Sequence, residues 1–222
     1  DFTPPALLFA QSGQSLQQRL IYNTLTRYDD RLHPKPELAT SWTYAKDGRS
    51  ITLRLRDDVT FHNGRKFTAD DVVFAVKNLQ NPVRAAQLRS TAATVTGFEK
   101  RGDHELVLKL AHPVNNLFDL FEFMIIADRE SVEDAVAGKK LIGTGPFKLK
   151  KWSPGSGLSL TRNDAYWQPG RPLPRRRRTA CHSPGRRADL VPALRPVPAH
   201  LRRARQEPRR RQERLPAHHQ RL

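Results

Sequence analysis

The amino-acid sequence predicts a mixed α/β fold over residues 1–170, followed by a segment of different character over residues 171–222. In the first part, stretches of alternating apolar and polar residues, typical of half-buried strands, are interleaved with stretches whose apolar residues recur at helical spacing. Turn signals made of Gly, Asn, Asp and Pro separate these stretches. Strands and helices alternate without a regular repeat, which indicates the mixed α/β class.

The first predicted elements are a helix and a hairpin. Residues 14–28 predict an amphipathic helix, because their leucines recur at roughly helical spacing. The two prolines of residues 33–36 are expected to stop it. Residues 41–44 and 51–55 then predict a half-buried hairpin with its turn at Gly48.

The next stretch combines a tight turn with a capped helix. Asn63 and Gly64 supply the positive φ that a tight turn requires. The hydroxyl of Thr68 can cap a helix whose first turn carries two aspartates, and each effect contributes about 0.5–1 kcal/mol. The helix is predicted to run to about Leu79 and to end at Asn81, just before a proline.

The remaining elements up to residue 170 are short and separated by clear turn signals. In chain order they are a hairpin of residues 95–99 and 105–110, a short helix over 117–121, a buried strand over 123–127, a helix over 131–137, a glycine-rich turn over 143–146, and a hairpin of residues 147–152 and 158–162 with a Pro-Gly turn. Tyr166 and Trp167 close this part of the chain.

Composition excludes several classes of protein. The longest apolar runs, among them residues 72–76 and 123–127, have five residues each, far fewer than the roughly 20 that a membrane-spanning helix needs. The single cysteine, Cys181, excludes an internal disulfide and a metal site with several cysteines. The chain begins at Asp1, with neither an initiator Met nor an apolar signal segment, so we expect a processed or trimmed fragment without its targeting signal.

The formal net charge of +17 first indicates nucleic-acid binding, but most of it belongs to one segment. Residues 1–170 contain 23 Lys and Arg against 19 Asp and Glu, whereas residues 171–222 contain 16 Arg against 3 acidic residues. The second segment also has 8 Pro and no aromatic residue. It cannot bury enough apolar surface to offset a chain entropy of about 1–2 kcal/mol per residue, so we expect it to be disordered.

Two explanations of this Arg- and Pro-rich segment are open. The functional one is an arginine-rich arm that neutralises phosphates. The sequence favours an out-of-frame reading of GC-rich DNA, because Phe, Tyr, Met, Ile, Asn and Lys, whose codons are AT-rich, are absent together, while Arg, Pro and Ala make up 30 of the 52 residues. Selection for phosphate binding gives no reason to exclude Lys.

No arrangement of residues indicates an enzyme or a metal site. The sequence lacks the G-x-S-x-G, HExxH and GxxxxGK[ST] motifs. His62 has no second histidine at ligand spacing, so we expect no metal and no cofactor. The pairs Asp57-Asp58 and Asp70-Asp71 lie at a predicted strand end and a predicted helix start, which favours structural roles over catalysis.

One long stretch resembles a known family signature. Its parts are LATSW at residues 38–42, LRLRDDVTFHNG at residues 53–64 and FTADDVVF at residues 67–74, with further similarity in residues 21–29, 143–147 and 162–167. In this order they resemble family 5 extracellular solute-binding proteins, the dipeptide, oligopeptide and nickel receptors of ABC importers. Lys66 departs from the family pattern, which usually has a proline there.

The resemblance implies a periplasmic-binding-protein-like α/β fold of class II, in which two lobes close on a solute. It places the first lobe at residues 1–40 and 143–170, and an inserted subdomain that carries the signature at residues 41–142. Residues 171–222 lie outside this organisation. The resemblance also implies that the second lobe and a first strand before Asp1 are missing.

The function that the resemblance implies is binding without catalysis. We expect the solute-binding component of an ABC importer, which captures peptides or similar small solutes, including nickel chelates, in the periplasm or cell envelope and delivers them to a membrane permease. It is expected to be a monomer that binds no specific nucleic acid. The alternative is a basic nucleic-acid-binding protein that acts through its arginine-rich segment.

Seven residues are candidates for contact with the solute, because crossings between a lobe and its subdomain place backbone and small polar groups at an edge. They are Gln11, Ser12, Gly13, Phe123, Met124, Gly143 and Thr144. A role in the core or in a turn is the competing interpretation for each of them.

Reading the coding DNA in its other two frames beyond the codon for Pro172 tests the out-of-frame explanation. We expect one of these frames to encode alternating strand patterns and aromatic residues. Frames that stay rich in Arg and Pro, or that stop at once, would contradict the explanation and favour a natural basic segment.

Overall fold

The computed structural model describes residue 8, residues 15–153 and residues 157–170. The elements in chain order are α1 (Ser15–Ile21), β1 (Thr26–Tyr28), β2 (Pro34–Pro36), β3 (Ala39–Tyr44), β4 (Ser50–Leu55), α2 (Ala69–Gln80), a 3-10 turn (Pro82–Arg84), α3 (Arg89–Ala92), β5 (Val95–Lys100), β6 (Glu105–Leu110), α4 (Leu117–Phe123), α5 (Val132–Val136), β7 (Phe147–Ser153) and β8 (Gly157–Arg162). The predicted mixed α/β fold is confirmed. Within these ranges no helix is long and apolar enough to cross a membrane.

A four-stranded antiparallel sheet in the order β3-β4-β6-β5 forms the centre of the described part. Leu53 of β4 lies opposite Trp42 of β3 on one side and opposite Leu106 of β6 on the other. Directly opposed residues share a face of a sheet, so these three side chains lie together. Thr52 and Arg54 alternate with the leucines of β4 and lie on the other face, as the sequence predicts.

Helix α2 supplies the second layer of the core. Its Val72, Val76 and Leu79 are buried in the same apolar cluster as Leu53 and Leu106 of the sheet. Burial of each such side chain contributes about 1.5–3 kcal/mol. Packing against the sheet therefore stabilises α2 more than its intrinsic helix propensity does.

Most of the predicted elements are confirmed. The hairpins β3-β4, β5-β6 and β7-β8, the helix that follows Thr68 and the helices over 117–121 and 131–137 all form, with boundary shifts of one or two residues. Gly48 and Gly64 occupy their turns with φ of +66° and +89°, a backbone conformation that suits glycine. The Pro-Gly turn between β7 and β8 and the segment 171–222 lie outside the described residues.

The predicted helix over residues 14–28 is wrong in its second half. Helix α1 ends at Ile21, and the chain then forms strand β1, which pairs with the proline-containing strand β2. The reason is a contact with a residue farther along the chain. The hydroxyl and the N–H of Thr24 donate hydrogen bonds of 2.6 and 3.1 Å to the carboxylate of Glu37, and these bonds hold the backbone in a non-helical path.

The predicted strand over residues 123–127 is also wrong. Phe123 is the last residue of helix α4, and among the described residues this stretch forms a single isolated bridge, between Ile126 and Asn23. Met124 and Ile126 are nevertheless buried. A five-residue apolar run indicates burial, but it does not by itself distinguish a strand from a buried connection.

A buried group of charged side chains joins the turn at Gly64 to helix α2 and to the segment before α5. Arg65 donates two hydrogen bonds to the Asp71 carboxylate, at 2.6 and 3.1 Å, and one to Asp128 at 2.7 Å. Arg129 also donates to Asp71, at 3.1 Å. Both aspartates are at most 1% exposed. Because a buried carboxylate is costly unless it is paired, each of these residues depends on the others.

Replacing Asp71 by Asn will lower the free energy of unfolding by about 3–5 kcal/mol, because two arginines lose a buried partner. Asp70→Asn is the matched control: the Asp70 side chain is 45% exposed and pairs with Lys100, so we expect a loss of about 1 kcal/mol or less. Urea denaturation of the two variants measures both values. Equal losses would contradict the role assigned to Asp71.

Candidate functional site

A cleft opens where the end of helix α1, strand β1 and the end of helix α4 meet. Six of the residues that line it are Arg19, Tyr22, Arg27, Glu37, Glu122 and Phe123. They come from parts of the chain up to about a hundred residues apart in sequence, as the ion pair between Arg19 and Glu122 shows. The cleft therefore exists only in the folded protein.

Glu37 organises one part of the lining. One of its carboxylate oxygens accepts a hydrogen bond of 2.8 Å from Nδ2 of Asn23, and the other accepts the two bonds from Thr24. Arg27 adds an ion pair at 3.5 Å. This buried carboxylate thus has a partner on each oxygen, as burial of a charge requires.

Glu122 organises a second part of the lining. One of its oxygens pairs with the guanidinium group of Arg19, and the other accepts a hydrogen bond of 2.7 Å from the N–H of Tyr28. The side chains of Arg19 and Arg27 are 33% and 41% exposed, whereas those of Glu122 and Glu37 are both 4% exposed. The charges of the cleft that face solvent are therefore cationic.

Asn23 connects the cleft to the end of the described chain. Its Nδ2 donates to the hydroxyl oxygen of Tyr166 at 3.2 Å, and its Oδ1 accepts from the Thr144 hydroxyl at 3.1 Å and from Nε1 of Trp167 at 3.2 Å. Asn23 is 2% exposed. A single buried amide thus holds the segments around residues 144 and 166 against the back of the cleft.

The seven residues predicted to contact the solute lie in different environments. Gln11, Ser12 and Gly13 lie outside the described residues. Phe123 lines the cleft and is 40% exposed, so its ring is available to a solute. Met124, its neighbour, is 2% exposed and packs in the core.

Gly143 and Thr144 lie behind the cleft, against the end of helix α1. A Cβ atom on Gly143 would lie 2.2 Å from the carbonyl oxygen of Ile21, so this close approach of two backbones requires glycine. Thr144 has no exposed surface, and its hydroxyl donates to Asn23. Both residues support the lining in this structure, and their contact with a solute stays a prediction.

His62 has a role that the sequence did not reveal. Its Nδ1 accepts a hydrogen bond of 3.3 Å from the N–H of Gly143, and its Nε2 donates to the carbonyl oxygen of Gly145 at 3.0 Å. This pair of bonds requires a neutral ring with its proton on Nε2. His62 therefore joins the turn of the signature to the glycine-rich segment behind the cleft.

Burial of the His62 ring lowers its pKa below the ordinary value of 6.5. The positive charge of Lys148, whose Nζ donates to the His62 carbonyl oxygen at 3.2 Å, lowers the pKa further. Hydrogen bonds with the backbone of Gly145 and Leu141 act in the opposite direction but do not reverse the shift.

The charged residues of the cleft were also missed by the sequence-based predictions. Arg19, Glu37 and Glu122 lie outside the segments of family similarity. Arg27 lies within residues 21–29 but was not singled out, and only folding brings the four residues together. Within the part of the chain that the structure describes, no three His, Cys, Asp or Glu side chains are grouped so that they could hold a metal ion.

Comparison with known proteins places the chain among the extracellular binding proteins, and within them it shows the family. Residues 33–179 match the model of the bacterial extracellular solute-binding proteins, family 5, middle region. The chain belongs to this family. The match ends at residue 179, beyond the last segment of similarity at residues 162–167.

Individual relatives agree with this family. The oligopeptide-binding protein AppA of Bacillus subtilis is 32% identical over an aligned length of 161 residues, and the alignment covers 67% of this chain and 29% of that protein. The nickel-binding periplasmic protein of Escherichia coli is 31% identical over an aligned length of 162 residues, and the alignment covers 70% of this chain and 31% of that protein. The crystal structure of NikZ from Campylobacter jejuni in complex with Ni(L-His) matches with a TM-score of 0.62 and 29% identity, over 67% of this chain and 31% of that one.

The chain spans about a third of the length of these relatives. The comparisons confirm the family resemblance and the periplasmic-binding-protein-like fold class that it implies. The family consists of binding proteins rather than enzymes. The comparisons support the receptor interpretation and give no support to nucleic-acid binding.

The stability that His62 contributes will depend on pH. Its folded-state pKa lies below its unfolded value near 6.5, so this contribution is complete above pH 6.5 and is lost as the pH falls through the lowered folded-state value. A protonated ring cannot accept the Gly143 hydrogen bond. In urea denaturation at pH 7.5 and pH 5, the wild-type protein should lose its stability advantage over His62→Gln as the pH falls.

His112→Gln is the control for this experiment, since His112 is exposed and its ring hydrogen-bonds the carbonyl oxygen of the adjacent Pro113. We expect its free energy of unfolding to follow that of the wild type across the same pH range. Parallel pH curves for the wild type and His62→Gln would contradict the role of the neutral ring.

Proposed function

We propose that this chain acts as the solute-binding component of an ABC importer, or as a part of one, and that its solute is a peptide or a similar small molecule. The observation that carries the proposal is the family match over residues 33–179. Relatives named as oligopeptide-binding and nickel-binding proteins support it, and they define the two kinds of solute to be tested.

The cleft offers chemistry that suits a peptide. Phe123 provides an exposed apolar ring for contact with a side chain of the solute. Arg19 and Arg27 provide partly exposed guanidinium groups, which donate hydrogen bonds to carbonyl and carboxylate oxygens. An apolar surface with a few convergent polar groups is typical of a small-molecule site.

The domain organisation belongs to the same proposal. Residues 1–40 and 143–170 act as parts of the first lobe, and residues 41–142 as the inserted subdomain. The lining of the cleft draws on both, since Phe123 comes from residues 41–142 and Arg27 from residues 1–40. A second lobe that closes over the cleft would bury the solute, and the closed receptor would then be recognised by the permease.

The remaining properties follow from the same assignment. The protein acts as a monomer in the periplasm or elsewhere in the cell envelope, without catalysis and without a cofactor. Its partners are the solute and the permease subunits, and it binds no specific nucleic acid. The description of the family as bacterial and extracellular supports this location.

Isothermal titration calorimetry of the full chain with dipeptides, longer peptides and a nickel–histidine chelate tests the proposal. We expect binding heat with at least one of these solutes. Phe123→Ala should weaken that binding roughly five- to tenfold through lost apolar contact. Val83→Ala is the control, because Val83 is 85% exposed and does not line the cleft.

A chain whose reading frame is restored beyond Pro172 should bind at least as tightly as this one. The absence of binding to all of these solutes, by this chain and by the restored one alike, would contradict the proposed function.

A further inference from the structure

Two residues that line the cleft each carry a buried polar atom whose hydrogen-bonding capacity is not used by any described residue. The hydroxyl of Tyr22 and the Nε–H of Arg27 are buried atoms without a hydrogen-bond partner among residues 8, 15–153 and 157–170. Both residues line the cleft. Since a buried donor left unpaired is costly, an incoming acceptor group that satisfies these two donors would bind favourably.

Both groups act as donors at neutral pH. The guanidinium group of Arg27 has only donors. Burial raises the pKa of the Tyr22 hydroxyl, so that hydroxyl keeps its proton. The acceptors of the cleft are already in use, because each oxygen of Glu37 and of Glu122 has a partner within the protein.

Charge selects the kind of acceptor that suits these donors. The exposed charges are those of Arg19 and Arg27, while the carboxylates that balance them are almost completely buried. An incoming anion therefore meets cations first. A carboxylate carries that negative charge and has two acceptor oxygens, whereas an amide carbonyl is uncharged and offers a single oxygen.

We propose that the cleft binds the terminal carboxylate of a peptide, with the Nε–H of Arg27 and the hydroxyl of Tyr22 as its hydrogen-bond donors. The peptide as the source of the carboxylate rests on the proposed function. The enclosed space is small and suits one functional group rather than a whole solute. The rest of the peptide extends towards Phe123, at the exposed part of the cleft.

Acetate is a probe for the carboxylate alone. Titration of the ¹⁵N-labelled full chain with sodium acetate, against sodium chloride at equal ionic strength, should shift the Nε–H resonance of Arg27 by NMR. Arg31, on the exposed turn between β1 and β2, is the internal reference. An Arg27 resonance that responds equally to both salts, or to neither, would overturn the proposal.

Tyr22→Phe separates a binding role from a structural one. The substitution removes a hydroxyl that has no described partner, so we expect an unchanged or slightly higher free energy of unfolding together with a roughly tenfold loss of acetate affinity. Tyr44→Phe is the control, because Tyr44 is exposed and lies away from the cleft. A parallel loss of stability and affinity, or no loss of affinity, would overturn the role of Tyr22.

Calorimetry with a dipeptide and with the same dipeptide amidated at its C-terminus identifies the source of the carboxylate. The free acid should bind about tenfold or more tightly than the amide, as expected for a charge-assisted bond. Arg27→Lys keeps the charge but removes Nε–H, so it should reduce this preference, whereas Arg31→Lys should not.

The outcomes distinguish this inference from the proposed function. Equal binding of the acid and the amide would overturn the terminal-carboxylate assignment and leave the peptide receptor intact. An acetate response at Arg27 without binding of any peptide would overturn the peptide as solute and leave the carboxylate site intact.

Discussion

Arg65 lies between two carboxylates that have almost no contact with water, and the described fold depends on this arrangement. Asp71 lies in the first turn of helix α2, and Asp128 lies before helix α5. The pair with Asp71 is bidentate, a geometry that a guanidinium group provides and an ammonium group does not. Among the described residues, removal of the arginine would leave the Asp128 carboxylate without its cationic partner and the Asp71 carboxylate with Arg129 alone, at a cost of several kcal/mol.

This constraint accounts for part of the family signature in physical terms, because Asp71 belongs to the signature and Arg65 lies between two of its segments. The run from Asn63 to Asp71 contains the tight turn, Arg65, and Thr68, which precedes helix α2. It ends with the Asp71 carboxylate, which accepts hydrogen bonds from both Arg65 and Thr68. The N–H of Thr68 donates to the Asp71 carboxylate at 3.0 Å, so the same side chain caps α2 and neutralises Arg65. The signature thus specifies a scaffold, and no residue in it has to contact a solute.

The scaffold reaches the cleft through His62, which precedes the same turn. The His62 ring holds Gly143 and Gly145. The N–H of Gly145 in turn donates to the carbonyl oxygen of Ile21 at 2.9 Å, at the end of helix α1. Nδ2 of Asn63, the residue after His62, donates to the Asp128 carboxylate at 3.1 Å. Hydrogen bonds together with this one backbone link therefore connect the buried charges to the segment that carries Tyr22. The signature thus helps to position the cleft, although no residue of its segments 38–42, 53–64 and 67–74 lines the cleft.

The sequence predicted the elements whose determinants are local. The local signals are the alternating leucines, the turn glycines and the capping residues at the start of α2, and each acts within a few residues. The central sheet and α2 were therefore predicted with small boundary shifts. The helix predicted over residues 14–28 failed because the carboxylate of Glu37, more than ten residues away, holds Thr24 in a non-helical conformation.

The site was predictable only in part, for the same reason. Phe123 was singled out by its place in the implied topology, and it does line the cleft. Glu37 and Glu122 carry no sequence signal, since each gains its function from arginines and backbone groups that folding brings to it. The net charge was the least informative feature, because most of it lies in residues 171–222. The basic residues that line the cleft are Arg19 and Arg27, which belong to a nearly neutral part of the chain.

A double-mutant cycle between Arg65 and Asp128 tests the central claim most directly. Urea denaturation of Arg65→Met, of Asp128→Asn and of the double variant gives the coupling energy between the two side chains. If the buried charges stabilise the fold as a set, this energy should be about 2–3 kcal/mol, near the upper end of measured couplings. A coupling energy close to zero would show that the two residues act independently, and it would contradict this account of the signature.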